Sequence, residues 1–215
     1  MRPGVFSRFF AVSAPVGFPP DVIGAPVRSV LWRREQGHLE DPKVFMPQRI
    51  HPWGAEMIPQ THLKVLRKLY ERLKDSDVNW AVTGSLGFAL QGVPVEPHDI
   101  DIQTDGEGAY KIERLFSEFV VRPVKFRESE RIRSHFGALR IDGIEVEIMG
   151  DLQKKVEGEW EQPVDVRKYR RFVEIEGMKI PVLDLEYEYQ AYLKLGRVER
   201  AEMLRRFLED RGRGI

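Results

Sequence analysis

Asp99 and Asp101, set one residue apart and interleaved with Ile100 and Ile102, are the residues of this 215-residue chain best suited to chemistry. Successive side chains of an extended strand point to opposite faces. The two carboxylates therefore share one face, while Ile100 and Ile102 enter a core on the other. Neighbouring carboxylates repel each other, and the usual compensation is a divalent cation, whose preference for hard oxygen ligands points to Mg²⁺, with Mn²⁺ as its substitute. Upstream, a strand running into Thr83 meets Gly84-Ser85, which opens a short helix. Free backbone N–H groups and the positive dipole end at such a turn favour a phosphate. Gly84 permits close backbone approach, and the Ser85 hydroxyl can donate to a phosphate oxygen or simply cap the helix. Thr83 is a lesser candidate for the same role.

These residues need a scaffold, and the pattern around them supplies one. Leu63, Leu66, Leu69, Tyr70 and Leu73 recur at helical spacing and predict a helix over 61–74. A strand over 78–82, a helix over 85–91 stopped by Gly92, and the aspartate strand over 99–103 follow. Next come a helix over 106–119 and a strand over 120–126. Asp142-Gly143 centres a hairpin over 136–149, and Glu176-Gly177 centres a second over 172–182. Asp184 caps a helix reaching Leu195, and a last helix spans about 197–210. Helices alternating with strands, then late hairpins, indicate an α+β domain (an α/β mixed sheet) with flanking helices and a C-terminal helical pair.

Composition sets limits. The chain has no Cys, so disulfides and Cys-ligated zinc are excluded. Formal net charge is zero and no basic stripe stands out, which weighs against a nucleic-acid partner. A charged fraction of 32% leans towards a thermophile. No apolar run approaches the length of a membrane span, and the short run after Arg8 is broken by Pro15, Pro19 and Pro20. A cytoplasmic protein is the expectation. Residues 1–56 hold 8 of the 14 prolines and no sustained period, so they are read as a loose N-terminal extension to a domain at 57–215. The rival reading is an arm packed through Trp32, Phe45 and Trp53.

Gly84-Ser85, a helical spacer, Asp99-Ile100-Asp101 and a later acidic strand together resemble the signature of the DNA polymerase β-like nucleotidyltransferase superfamily. The likeness covers roughly 57–210. It is strongest to the small single-domain members: the minimal nucleotidyltransferases of toxin–antitoxin pairs, the lincosamide and aminoglycoside nucleotidyltransferases, and related thermophile proteins. The resemblance implies transfer of a nucleoside monophosphate from a nucleoside triphosphate, ATP foremost, to a hydroxyl, with release of pyrophosphate. It implies that Asp99, Asp101 and a third acid hold Mg²⁺. Ile144-Glu145-Val146-Glu147-Ile148 offers two candidates for that acid. The family's acid sits between apolar residues just before its strand ends, which selects Glu147 over Glu145. The family more often has Asp there, and the longer Glu leaves room for weakened catalysis. The resemblance also implies that Lys194, at the junction of the last two helices, reaches the triphosphate; a helix-end Lys suits the macrodipole equally.

His135, just before Phe136-Gly137, is a candidate on the acceptor side, or else a surface or capping histidine. The run from Glu186 to Tyr192 reads as packing with a polar outer face. The acceptor is left open among a small molecule such as an antibiotic, a tRNA end and a protein. The alternative to an enzyme is an antitoxin-like protein that binds a small helical toxin, or a nucleotide sensor.

Overall fold

The computed structural model describes residues 48–49 and 58–212. All lie in the second of two units into which the chain divides, Pro47–Ile215. Most of the segment expected to be loose, with Trp32, Phe45 and Trp53, falls outside the described residues. One part of it does not: Gln48–Arg49 forms strand β1, which pairs in parallel with Val173 and Glu174.

Helix α1 (Gln60–Leu73) leads to β2 (Trp80–Thr83), the short α2 (Gly84–Leu90) and β3 (Ile100–Thr104). Helix α3 (Gly106–Leu115) precedes the strands β4 (Val120–Glu128), β5 (Ile132–Ile141) and β6 (Ile144–Val156). A two-residue β7 (Glu159–Trp160) and the single-turn α4 (Val166–Tyr169) lead to β8 (Arg170–Ile175) and β9 (Met178–Leu183). Helices α5 (Leu185–Lys194) and α6 (Val198–Gly212) close the described chain. The mixed sheet has the order β1-β8-β9-β2-β3-β6-β5-β4, with β7 paired to β6 off that path. None of the described helices is long and apolar enough to cross a membrane.

The period-two alternation of the strands divides the sheet into two chemically distinct faces. On one, Val82, Ile100, Ile102, Val146 and Ile148 pack against Leu63, Leu66 and Leu69 of α1 and Ala109 and Ile112 of α3 in one core cluster. Burying five such side chains supplies on the order of 10 kcal/mol of apolar transfer. Asp105 opens α3, its carboxylate accepting from the Gly108 N–H at 2.7 Å. At the C-terminus, α5 and α6 pack against each other, with Leu185, Tyr192, Ala201 and Leu204 joining Phe88 of α2 in a smaller cluster. Asp184 caps α5 by accepting from the Glu186 and Tyr187 amides at 3.0 and 3.3 Å.

Two elements differ from expectation for identifiable reasons. Helix α3 stops at Leu115 rather than running to 119. Phe116 leaves helical geometry at φ −121° to bury its ring, Arg72 donates to the freed Leu115 carbonyl at 2.7 Å, and a 3₁₀ turn (Ser117–Phe119) follows. Strand β6 runs past 149 to Val156. The β5–β6 register shifts between Arg133 and His135, where Asp151 sits at φ 51°, and this irregularity breaks the alternation that marks a strand in sequence.

Candidate active site

The register of three neighbouring strands aligns the acidic residues. Thr83 on β2 lies opposite Asp101 on β3, Asp101 lies beside Glu147 on the parallel β6, and Glu147 lies opposite Ala138 on β5. Directly paired residues project from the same face of a sheet. Thr83, Asp101 and Glu147 thus form one row on the face opposite the Ile100/Ile102 core. Register also separates the two acids of β6. Glu145 lies beyond the paired segment of β3 and binds Arg140 across the hairpin at 2.8 Å, whereas Glu147 is fully buried beside Asp101. Asp99 precedes β3 in a bend, and its charge acts on Asp101.

Gly84 follows the row's first residue with φ +65°, the left-handed region that glycine enters without steric cost. A Cβ at this position would stand 2.1 Å from Asp101 Oδ2, so the turn fits against the carboxylate only without a side chain. Ser85, the next residue, is buried in the first turn of α2. Gly84 and Asp101 therefore meet in space.

The electrostatics of the row are those of crowded, buried carboxyls. Asp101 is 5% exposed, and its Oδ1 is buried with no hydrogen-bond partner among the described residues. Burial above all, and then the charges of Asp99, Glu147 and Glu188, hold its carboxyl well above the usual carboxylate range. Burying an ionised carboxylate without compensation costs several kcal/mol. A divalent cation would remove that cost, and the carboxyl-only donor set suits Mg²⁺. Among the described residues no three His, Asp or Glu side chains gather into a ready-made metal cage.

Against this geometry, comparison with known proteins is decisive. The sequence profile of the aminoglycoside-2''-adenylyltransferases matches residues 65–205, which contain the whole row. The chain belongs to this family of nucleotidyltransferases. A solved Thermotoga maritima structure described as a nucleotidyltransferase is 70% identical in sequence, with 72% of this chain and 96% of that chain covered and a TM-score of 0.64. The antibiotic-resistance factor ANT(2'')-Ia in its solution structure is 13% identical, with 69% and 85% covered and a TM-score of 0.45. An antigenic nucleotidyltransferase-like protein from Paracoccidioides brasiliensis is 13% identical, with 66% and 73% covered and a TM-score of 0.39. These last two likenesses are too distant to add to the argument. The search of curated proteins returns no match.

The helical pair of this nucleotidyltransferase adds residues to the site that periodicity did not single out. Glu188 on α5 is 2% exposed, so the run from Glu186 to Tyr192 is not simply packing with a polar outer face. Its carboxylate accepts a hydrogen bond from the Thr83 hydroxyl and another from the Gly84 amide. The Gly84 N–H, expected to face a phosphate, is thereby engaged within the protein. Burial pushes the Glu188 carboxyl up to about 7, with the Thr83 and Gly84 hydrogen bonds opposing. Arg200 on α6 is exposed and makes no ion pair among the described residues, yet its positive charge reaches both Asp101 and Glu188.

Two expected residues are not brought to the row. The Lys194 ammonium is engaged by Glu161, next to the buried Lys154. Lys194 lines a cavity with Tyr187 and Gln190, whereas Glu188 faces Thr83. His135 pairs with Gly150, three positions along β6 from Glu147, and its Nδ1 lies 3.2 Å from the hydroxyl of Tyr110 on α3. Helix α3 packs on the Ile100/Ile102 face, so His135 stands across the sheet from the carboxylates.

Proposed function

We propose that this family member transfers a nucleoside monophosphate from a nucleoside triphosphate, ATP foremost, to a hydroxyl acceptor with release of pyrophosphate. The observation that carries this reading is the in-register row of Asp101 and Glu147 with the Gly84 turn fitted against Asp101. Asp99, Asp101 and Glu147 would hold Mg²⁺ or Mn²⁺, which when bound neutralises the charge that develops on the phosphates. The protein's own residues supply the rest. Asp99 and Asp101, at the start of one strand, bound the space for the α-phosphate. Glu147, deep in the row, takes the proton as the acceptor oxygen bonds to the α-phosphorus. The bond from that phosphorus to the bridging oxygen breaks, and its electron pair leaves on pyrophosphate. The Gly84-Ser85 turn brackets the phosphates. Arg200, whose charge reaches Asp101 and Glu188, is assigned to the triphosphate ahead of Lys194, which pairs with Glu161.

The family's name makes an aminoglycoside hydroxyl the first acceptor to try. A tRNA end and a small helical toxin are the other two. The test is incubation of the protein with α-labelled ATP, Mg²⁺ and each acceptor class in turn. Label is expected to pass to one acceptor from the α-position and not from the γ-position. Transfer of γ-label, or none to any class, would contradict the reading.

A further inference from the structure

We propose that Glu188 is a positioning residue that holds the Thr83-Gly84 turn in its nucleotide-binding shape from the C-terminal helical pair. The inference rests on the nucleotidyl-transfer reading of the strand row. Thr83 ends β2, and its hydroxyl, on the face shared with Asp101 and Glu147, donates to Glu188 Oε1. The Gly84 amide donates to the same carboxylate. Glu188 thus grips the side chain before the turn and the backbone of the turn itself.

The turn has little freedom to spare. Gly84 sits at φ +65° with no room for even a methyl group beside Asp101 Oδ2, so a small shift changes its fit to that carboxylate. Glu188 is a poor choice for packing alone. It lies between Tyr187 and Tyr189 on a helix, is almost wholly buried, and has no cation within ion-pair distance among the described residues. Lys154 and Arg200 act on it only at longer range. A buried carboxyl with no paired cation gains little from charge, so its worth here lies in the hydrogen bonds it accepts. What an apolar residue cannot do is receive the Thr83 hydroxyl and the Gly84 amide. The contact also ties α5 to the catalytic row, which makes the helical pair part of the site and not merely a cover for it.

The experiment measures Mg²⁺–ATP affinity by calorimetry, alongside melting temperature, for Glu188→Ala, Thr83→Val, the double variant, Glu188→Gln, Thr83→Ser and Asp101→Asn. Glu188→Ala, which loses both the Thr83 and the Gly84 bonds, is expected to weaken binding about tenfold, Thr83→Val, which loses one of them, by less, and the double variant by no more than Glu188→Ala alone, because the Thr83 contact is already gone in it. Glu188→Gln and Thr83→Ser, which keep an acceptor and a donor, should stay within about threefold of the starting protein. Additive losses, or Glu188→Ala and Thr83→Val with lower melting temperature but unchanged affinity, would overturn the proposal. If Glu188→Ala does not fold, Thr83→Val and its combination with Glu188→Gln answer the same question. Asp101→Asn separates the two readings. Retention of Mg²⁺-dependent binding there sinks the proposed function itself, whereas its loss alongside additive Glu188 and Thr83 effects sinks only the positioning role.

Discussion

The strand-borne half of the site and the helical half are built on opposite logic. On β3 and β6 the carboxylates are crowded together, and burial and like charge raise the Asp101 carboxyl. The proposed function gives these residues a cation to hold. On α5 and α6 the ionisable groups are already partnered within the protein or held out towards solvent. Glu188 receives Thr83, and Arg200 stays exposed. The contrast shows that charge strain marks where chemistry happens, whereas satisfied buried charge marks what holds the reacting half in place. Substitution in the strands should therefore cost activity and not stability, while substitution in the helices should cost affinity in graded steps.

Within the strands, Glu147→Gln should lower transfer by about 10³-fold or more, since it removes both a cation ligand and the proton acceptor. Glu145→Gln should retain most activity, because Glu145 pairs with Arg140 at the surface of the hairpin. Steady-state rates of the two variants decide this, and the reverse order would mean that the acids of β6 had been assigned to the wrong roles. Across the helices, Arg200→Ala should weaken ATP binding by about tenfold, the scale of one charge-assisted contact. Lys194→Ala should change it less than about twofold, since it loses only an exposed pair with Glu161. Equal effects from the two would erase the distinction drawn between them.

A smaller effect separates the halves by pH. The Glu188 carboxyl, pushed up to about 7 in the folded protein, sits above its ordinary value of 4.5. Asp101 shifts in the same direction. A raised carboxyl contributes stability that is fully present below the unfolded value and is lost as pH rises through the folded one. Metal-free protein should therefore lose stability between about pH 4.5 and 7, by at most roughly 3 kcal/mol from Glu188. Glu188→Gln should flatten the dependence. Melting curves across that range in chelator provide the check, and a stability that rises with pH would count against these burial effects.

The same division explains what could be read from sequence. Asp101 and Glu147 share a face because strand alternation is strictly period two, with Ile100, Ile102 and Val146 on the other; Asp99, counted into the same strand from sequence, lies in the bend before it. The Gly84-Ser85 turn was legible through its residue types. Glu188 was not, because a Glu among tyrosines on a helix looks like a solvated position. Its partner is Thr83, far away in sequence. The contact of Lys194 was hidden for a related reason: a helix-end lysine gives no sign that Glu161 will pair with it. His135 lay next to a register shift, where the face of a side chain cannot be counted from its neighbours. Elements governed by local pattern were found within a few residues. The end of α3 and the length of β6 depended on Arg72 and on Asp151, which local pattern does not reveal.

The row of carboxylates is tested most directly by calorimetry of ATP binding with Mg²⁺ and with chelator, for the protein and for Asp101→Asn. The protein should bind ATP with Mg²⁺ and lose that binding in chelator. Asp101→Asn should fold with an equal or higher melting temperature in metal-free buffer, since one of the repelling charges is gone, and should show no Mg²⁺-dependent gain. Equal ATP affinity with and without Mg²⁺, or a Mg²⁺ response untouched by Asp101→Asn, would contradict a metal-dependent nucleotide site on this row.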